Sequence, residues 1–206
     1  MARGNGRMPI FLDDHDYRKF VHLLGEAVDD SAMRCWNYCL MPNHYHVTLE
    51  PTRPNISAAI RRLNGCYAQW WNKRHERVGH VFQGRFKDQV VDRDGYLRTL
   101  SRYVVMNPVR AGLVARPDEW PWSSFRATMG ICHPPPFLAA SSTLRLFGEA
   151  DDTTLQERFA QFVLAQPDDW ETVDRIRSNE SILGGRAFKE LVSQATIRSD
   201  PGLTPV

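Results

Sequence analysis

The chain has 206 residues, 42% hydrophobic and 24% charged, which suits a folded protein with an ordinary core and excludes a disordered polymer. The net charge is +2, but Met1–Cys132 holds 19 Lys and Arg against 13 Asp and Glu, while His133–Val206 holds 7 against 11. No apolar run nears the roughly 18 residues of a membrane span, and no apolar stretch follows the basic start Met1–Arg7, so a secretory leader is not expected.

In chain order, Asp13 and Asp14 precede a helical stretch whose apolar side is Phe20, Val21, Leu23, Leu24 and Val28. Residues 33–40 read as a strand, 41–43 as a short turn, and 44–50 as a second strand. In that strand Tyr45, Val47 and Leu49 share one face, and His44, His46, Thr48 and Glu50 the other. Asn55-Ile56-Ser57 opens a helix to about Arg74 with Ile60, Leu63, Tyr67, Trp70 and Trp71 as its stripe. A loop at 79–84 leads to a predicted strand over 85–91, and Asp94 is the expected N-cap of a third helix ending near Asn107, before Pro108. Trp120-Pro121-Trp122-Ser123-Ser124 reads as a turn anchored by its indoles.

The order helix, strand, strand, helix, strand, helix predicts an α+β fold. It is a ferredoxin-like antiparallel sheet with packed helices and its first strand missing. Residues 1–130 are expected to form this domain. After the Pro-rich linker at 133–136, residues 131–206 are expected to form a helical extension, with 155–164 and 187–192 its clearest helices. Cys35, Cys39, Cys66 and Cys132 form no CxxC pair, so reduced thiols and a cytoplasmic location are expected.

His44 and His46, two apart on a strand, project from one face and could hold a divalent metal, or could simply be outward polar residues. Tyr103 and Asn107, four apart on a helix, also share a face. A phenol beside a metal can act as a nucleophile and an amide oxygen can ligate a hard cation. Equally, Tyr103 follows Tyr96 and Leu100 at core spacing, and Asn107 before Pro108 fits an N-cap. The basic excess between residues 51 and 92 includes Arg61, Arg62, Lys73, Arg74, Arg77, Arg85 and Lys87. It suits a nucleic-acid surface or a solvated helix face.

Four segments then resemble a known family. Residues 41–47, Met-Pro-Asn-His-Tyr-His-Val, resemble the signature of the HUH endonuclease superfamily in its single-tyrosine transposase branch. Residues 103–114 resemble the nucleophile helix of the REP-associated tyrosine transposases, and 79–87 and 120–124 resemble further segments of that family in the same order. The resemblance runs from about Arg3 to Gly130, with a family-like stretch again at 182–192. It implies a ferredoxin-like domain that cleaves single-stranded DNA beside hairpins through a 5′-phosphotyrosine. Tyr103 would be the nucleophile, and His44, His46 and Asn107 would hold Mg²⁺ or Mn²⁺. Beside the matched segments, Arg85 and Lys87 on one predicted strand face, and Arg110, are the expected phosphate contacts.

Two alternatives stand beside an active transposase: a catalytically silent, domesticated protein that binds hairpin DNA, and a two-histidine metal protein unrelated to DNA. The sequence leaves open whether one chain or a homodimer does the work.

Overall fold

The alternation at residues 44–50 produces the hairpin at the centre of the computed structural model. β2 (Met33–Met41) and β3 (His44–Pro51) pair antiparallel, with Leu40 opposite Tyr45, Cys39 opposite His46 and Asn37 opposite Thr48. The structure describes residues 1–165, 170–178 and 181–199. It comprises two units, Met1–Lys87 with Ser101–Ala165, and Asp88–Leu100 with Gln166–Val206.

In the first unit, α1 (Asp14–Asp30) starts where expected because the Asp13 carboxylate accepts from the amides of His15 and Asp16. Tyr17, Phe20, Leu24 and Val28 face the sheet, as do Ile60, Leu63 and Tyr67 of α2 (Ile56–Arg74). Tyr67 is fully buried and its hydroxyl donates to the Ile10 carbonyl at 2.5 Å. The two helices are tied by a buried carboxylate. Asp16, 0% exposed, accepts from the Leu12 amide, from Arg74 and from His75 Nε2 at 3.0 Å, and Arg74 also reaches Asp13.

The strand expected to be missing is present, and this corrects the reading of the sequence. β1 (Ala2–Arg3) pairs antiparallel with β3, Ala2 opposite Tyr45 and Arg3 opposite His44, giving the order β1-β3-β2. On its other side run residues 81–87. The amide of Asn5 donates to Val81 O, that of Gln83 to Arg3 O and that of Lys87 to Met1 O, at 2.8–2.9 Å. A first strand lying between the third strand and the chain after α2 is the ferredoxin-like arrangement. Two residues carry no visible alternation, and the partner lies some forty residues away, so sequence periodicity could not show it.

The strand expected over 85–91 is likewise redrawn: only Val90–Val91 (β4) is strand, paired in parallel with β5 (Ile182–Leu183) inside the second unit. Arg85 and Lys87 therefore share no strand face; both are exposed on the irregular segment that pairs with β1. That second unit also holds α8 (Trp170–Arg177) and α9 (Arg186–Ser199), with Leu97, Leu100, Val173, Ile176 and Leu183 buried. α3 (Arg93–Val105) begins in it. Asp94 lies within the first turn instead of capping it, and its side chain is outside the described ones.

Residues 120–124 do more than turn. They run along the free edge of β2, Leu40 N–H donating to Trp122 O and Ser124 N–H to Tyr38 O at 2.9 Å, while the Trp122 ring stacks on Tyr17 at 4.6 Å. The Pro-rich segment at 133–136 returns to the same edge, where Ala139 N–H donates to Cys35 O. Phe137 then seats against Gly25 of α1, where an added Cβ would lie 2.9 Å from the ring. α5 (Phe125–Thr128), α6 (Ala140–Arg145) and α7 (Asp152–Leu164) follow in the first unit. Phe125, Leu144, Leu155, Phe159 and Val163 form a second core with Val105, holding the end of α3.

Candidate active site

β3 sends alternate side chains to opposite faces. Tyr45 enters the core, 1% exposed, with its hydroxyl donating to Asn64 Oδ1 at 2.7 Å. His44 and His46 leave from the other face, their rings 5.0 Å apart and nearly perpendicular. That face is partly covered instead of being open to solvent, because the last turns of α3, from Ser101 on, lie over it. The packing is polar and saturated. Asn37 of β2 donates to Ser101 Oγ at 2.8 Å and accepts from Thr48 Oγ1 at 2.7 Å, with Asn37 and Ser101 both buried. Thr48 stands two residues after His46, and Ser101 two before Tyr103. This bridge therefore sets the helix against the histidine strand.

Tyr103 accordingly lies with its ring 5.9 Å from that of His46, edge to face. The Arg110 guanidinium sits 3.9 Å above the Tyr103 ring, and its Nη2 donates to the Tyr103 carbonyl at 2.7 Å. Arg110 belongs to α4 (Asn107–Arg110), separated from α3 by Met106 alone.

Asn107 explains that break. Pro108 has no N–H to give the carbonyl of Val104, four residues back. The Asn107 side-chain amide serves instead, donating to Val104 O at 3.2 Å and to Tyr103 O at 2.9 Å. The N-cap role open to Asn107 is not the one it plays; Met106 holds that position. With its NH₂ turned to the helix, Oδ1 faces away and accepts no hydrogen bond from the described residues.

Both imidazoles are held neutral. Burial, with Arg3 and the chain's amino terminus as lesser causes, lowers His44 to about 4. Burial, then His44, the amino terminus, Arg110 and Arg3, hold His46 well below the usual histidine value. Asn43 fixes the tautomer of His44. Its Nδ2 donates to Arg7 O, so its Oδ1 is the acceptor for His44 Nδ1 at 2.7 Å, leaving the lone pair on Nε2. Among the described residues no cluster of three or more His, Cys, Asp or Glu is placed to hold a metal. A cation at this pair would thus draw on two neutral imidazoles and on a ligand of another type, and the Asn107 amide oxygen has the chemistry for it.

The structure therefore assembles His44, His46, Tyr103 and Arg110, with Asn107 one turn beyond. Among the described residues Arg85 and Lys87 form no hydrogen bond or ion pair with them, and the 79–84 segment instead walls a cleft of about 420 Å³ with Asn64, Gln69 and Asn72 of α2. Sequence reading gave no site role to Arg3, Asn37 or Asn43. Only strand register and hydrogen bonding reveal them, and neither is written in spacing along the chain.

The model of the family described as "Transposase IS200 like" matches residues 1–107, spanning β1 to Asn107 and hence both histidines and Tyr103. The chain belongs to the IS200-like transposase family. A putative REP-associated tyrosine transposase of Haemophilus influenzae is 26% identical to this family member over 98 residues, 42% of this chain and 56% of that protein. The chain thus matches little more than half the length of that curated relative. A solved REP-associated tyrosine transposase bound to a REP hairpin aligns with a TM-score of 0.49 and 19% identity, over 67% of this chain and 81% of the other. No helix among the described residues is long and apolar enough to cross a membrane.

Proposed function

We propose that this protein is a metal-dependent single-stranded DNA endonuclease and strand transferase that cuts beside hairpins through a 5′-phosphotyrosine. The observation that carries it is the Tyr103 ring against His46, 5.9 Å away, with His44 5.0 Å from His46. Membership of the IS200-like transposases and likeness to a putative REP-associated relative support the same reading. His44 Nε2, His46 and Asn107 Oδ1 would hold Mg²⁺ or Mn²⁺, whose chemistry, when bound, is to offset charge on a non-bridging phosphate oxygen.

The chain's own groups do the rest. Tyr103 Oη forms a bond to phosphorus, the P–O3′ bond breaks, and the 3′ oxygen leaves as a hydroxyl, the phenolic proton being passed on through solvent. One phosphodiester is exchanged for another, so a 3′ hydroxyl can later reverse the step without ATP. Arg110, pinned over the ring, brings a positive charge to the phosphate being attacked. Asn37, Thr48 and Ser101 keep the nucleophile's helix in register with the histidines.

The test is a covalent one. The full chain is mixed with structured single-stranded oligonucleotides from the neighbourhood of its own gene and Mg²⁺ or Mn²⁺, then run on a denaturing gel. A protein-linked strand is expected, absent from Tyr103→Phe although that variant still shifts the DNA on a native gel. An undiminished adduct in Tyr103→Phe would reject the nucleophile. DNA binding with no adduct from the wild-type chain would leave a hairpin-binding relative in its place.

A further inference from the structure

We infer that Arg3 is a phosphate-binding residue of this site, holding a DNA phosphodiester beside Tyr103 and the histidine pair. The inference deepens the nuclease reading and takes the ligand's identity from it, but the binding itself does not depend on cleavage.

Three observations place the side chain. Arg3 of β1 stands directly opposite His44 of β3, and residues opposed across an antiparallel ladder point to the same face. Ala2, its neighbour, is opposite Tyr45 and belongs to the core, so the alternation along β1 agrees with the alternation along β3. The pair is also of the closer kind. Gly4 N–H donates to Asn43 O at 2.8 Å, which makes Gly4 and Asn43 a hydrogen-bonded pair. The adjoining Arg3 and His44 are then a non-hydrogen-bonded pair, with Cα atoms about 4.5 Å apart and side chains in reach of each other.

The second point is what Arg3 lacks. Its Nε is buried and has no hydrogen-bond partner among the described residues. Arg18, Arg34, Arg62, Arg74 and Arg116 each meet a carboxylate at 2.5–3.2 Å; Arg3 meets none among the described residues. A buried donor left unmade is costly, so one on the histidine face calls for a partner, and a bound ligand can supply it. The electrostatic influence of Arg3 reaches both His44 and His46, in keeping with the register.

The third point is chemical fit. A guanidinium offers a rigid fork of N–H groups that matches two oxygens of a phosphate. The imidazoles, amide and phenol near it are neutral, Arg110 adds a second cation over Tyr103, and Glu50 of the same strand face is taken up by Arg34 and Trp36, so a phosphodiester is the fitting counter-charge.

The test uses the full-length protein as its Tyr103→Phe variant, so that no cleavage intervenes, and a short oligodeoxythymidine as the probe. The side-chain Nε–Hε resonance of Arg3, assigned by its loss in Arg3→Lys, should move as the oligonucleotide saturates the protein. Arg3→Gln should weaken binding roughly tenfold and reduce the slope of log affinity against log salt by about 0.7, one phosphate contact on a single strand. Arg3→Lys should keep that slope, since the charge remains. A stationary Arg3 resonance at saturation, or an unchanged slope in Arg3→Gln with its amide spectrum still folded, would overturn the assignment. If wild-type protein forms no adduct while these Arg3 effects persist, the nuclease reading falls and the phosphate site stands.

Discussion

Both oxygens of the Asp16 carboxylate have found donors, whereas around His46 several polar groups have no partner among the described residues, although both clusters contain histidine and lie in the same unit. The Asp16 carboxylate is wholly buried and receives Leu12 N–H, Arg74 and His75. Its charge is met inside the cluster by Arg74, which also reaches Asp13, and its role is to lock α1 to α2. On the far face of the sheet His44 and His46 are neutral, Asn107 Oδ1 accepts nothing from described residues, and Arg3 Nε is buried without an acceptor. Saturation marks a strut; a set of unmet donors and acceptors converging on one place marks a site. Residue type alone would not have told the two histidine clusters apart.

That contrast can be broken by mutation. Asp16→Ala should be the most damaging change, costing about 3–5 kcal/mol in urea unfolding because it removes a fully buried carboxylate from between the Leu12 amide and Arg74. A loss under about 1 kcal/mol would show the cluster is not a strut. Asn37→Ala should come next, at about 2 kcal/mol, since it leaves the Thr48 and Ser101 hydroxyls without their shared partner. It should also slow adduct formation more than it weakens DNA binding, and equal effects on both would count against a positioning role. His44→Gln combined with His46→Gln should change stability by no more than about 1 kcal/mol yet remove Mn²⁺ binding by calorimetry. Retained binding would place the metal elsewhere.

The smallest effect concerns pH. His44 titrates at about 4 in the folded chain against a reference of 6.5. Above pH 6.5 both states are neutral and the group contributes no pH dependence. Between 6.5 and 4 the unfolded chain takes up a proton that the folded chain refuses, so stability of the metal-free protein should fall as the solution is acidified through that window. His44→Gln should flatten part of the decline, and an identical slope in the variant would contradict the burial of this imidazole.

The sequence made some of this legible. The 44–50 alternation gave the hairpin and the face of each histidine, and Asp13 marked the start of α1, because these signals are local and periodic. The matched segments brought Tyr103 and Asn107 together with the histidines before any coordinates. β1 escaped notice because two residues have no period, and 85–91 was misdrawn because its hydrogen bonds go to Met1 and to residues 181–183 instead of forming one continuous ladder. Arg3 was hidden for the same reason as β1: its meaning lies in which residue it faces.

Pro108 has a further consequence, for the type of residue that can stand before it. The Val104 carbonyl, which Pro108 cannot serve, takes its donor from the Asn107 side chain, so a carboxylate there would set lone pair against lone pair and leave that carbonyl unmet. The three side chains proposed to hold the cation are therefore all uncharged, and a divalent ion there would keep its full charge for the polyanion it meets. A missing hydrogen atom on one imide nitrogen thus favours an uncharged donor at the one ligand position that precedes it.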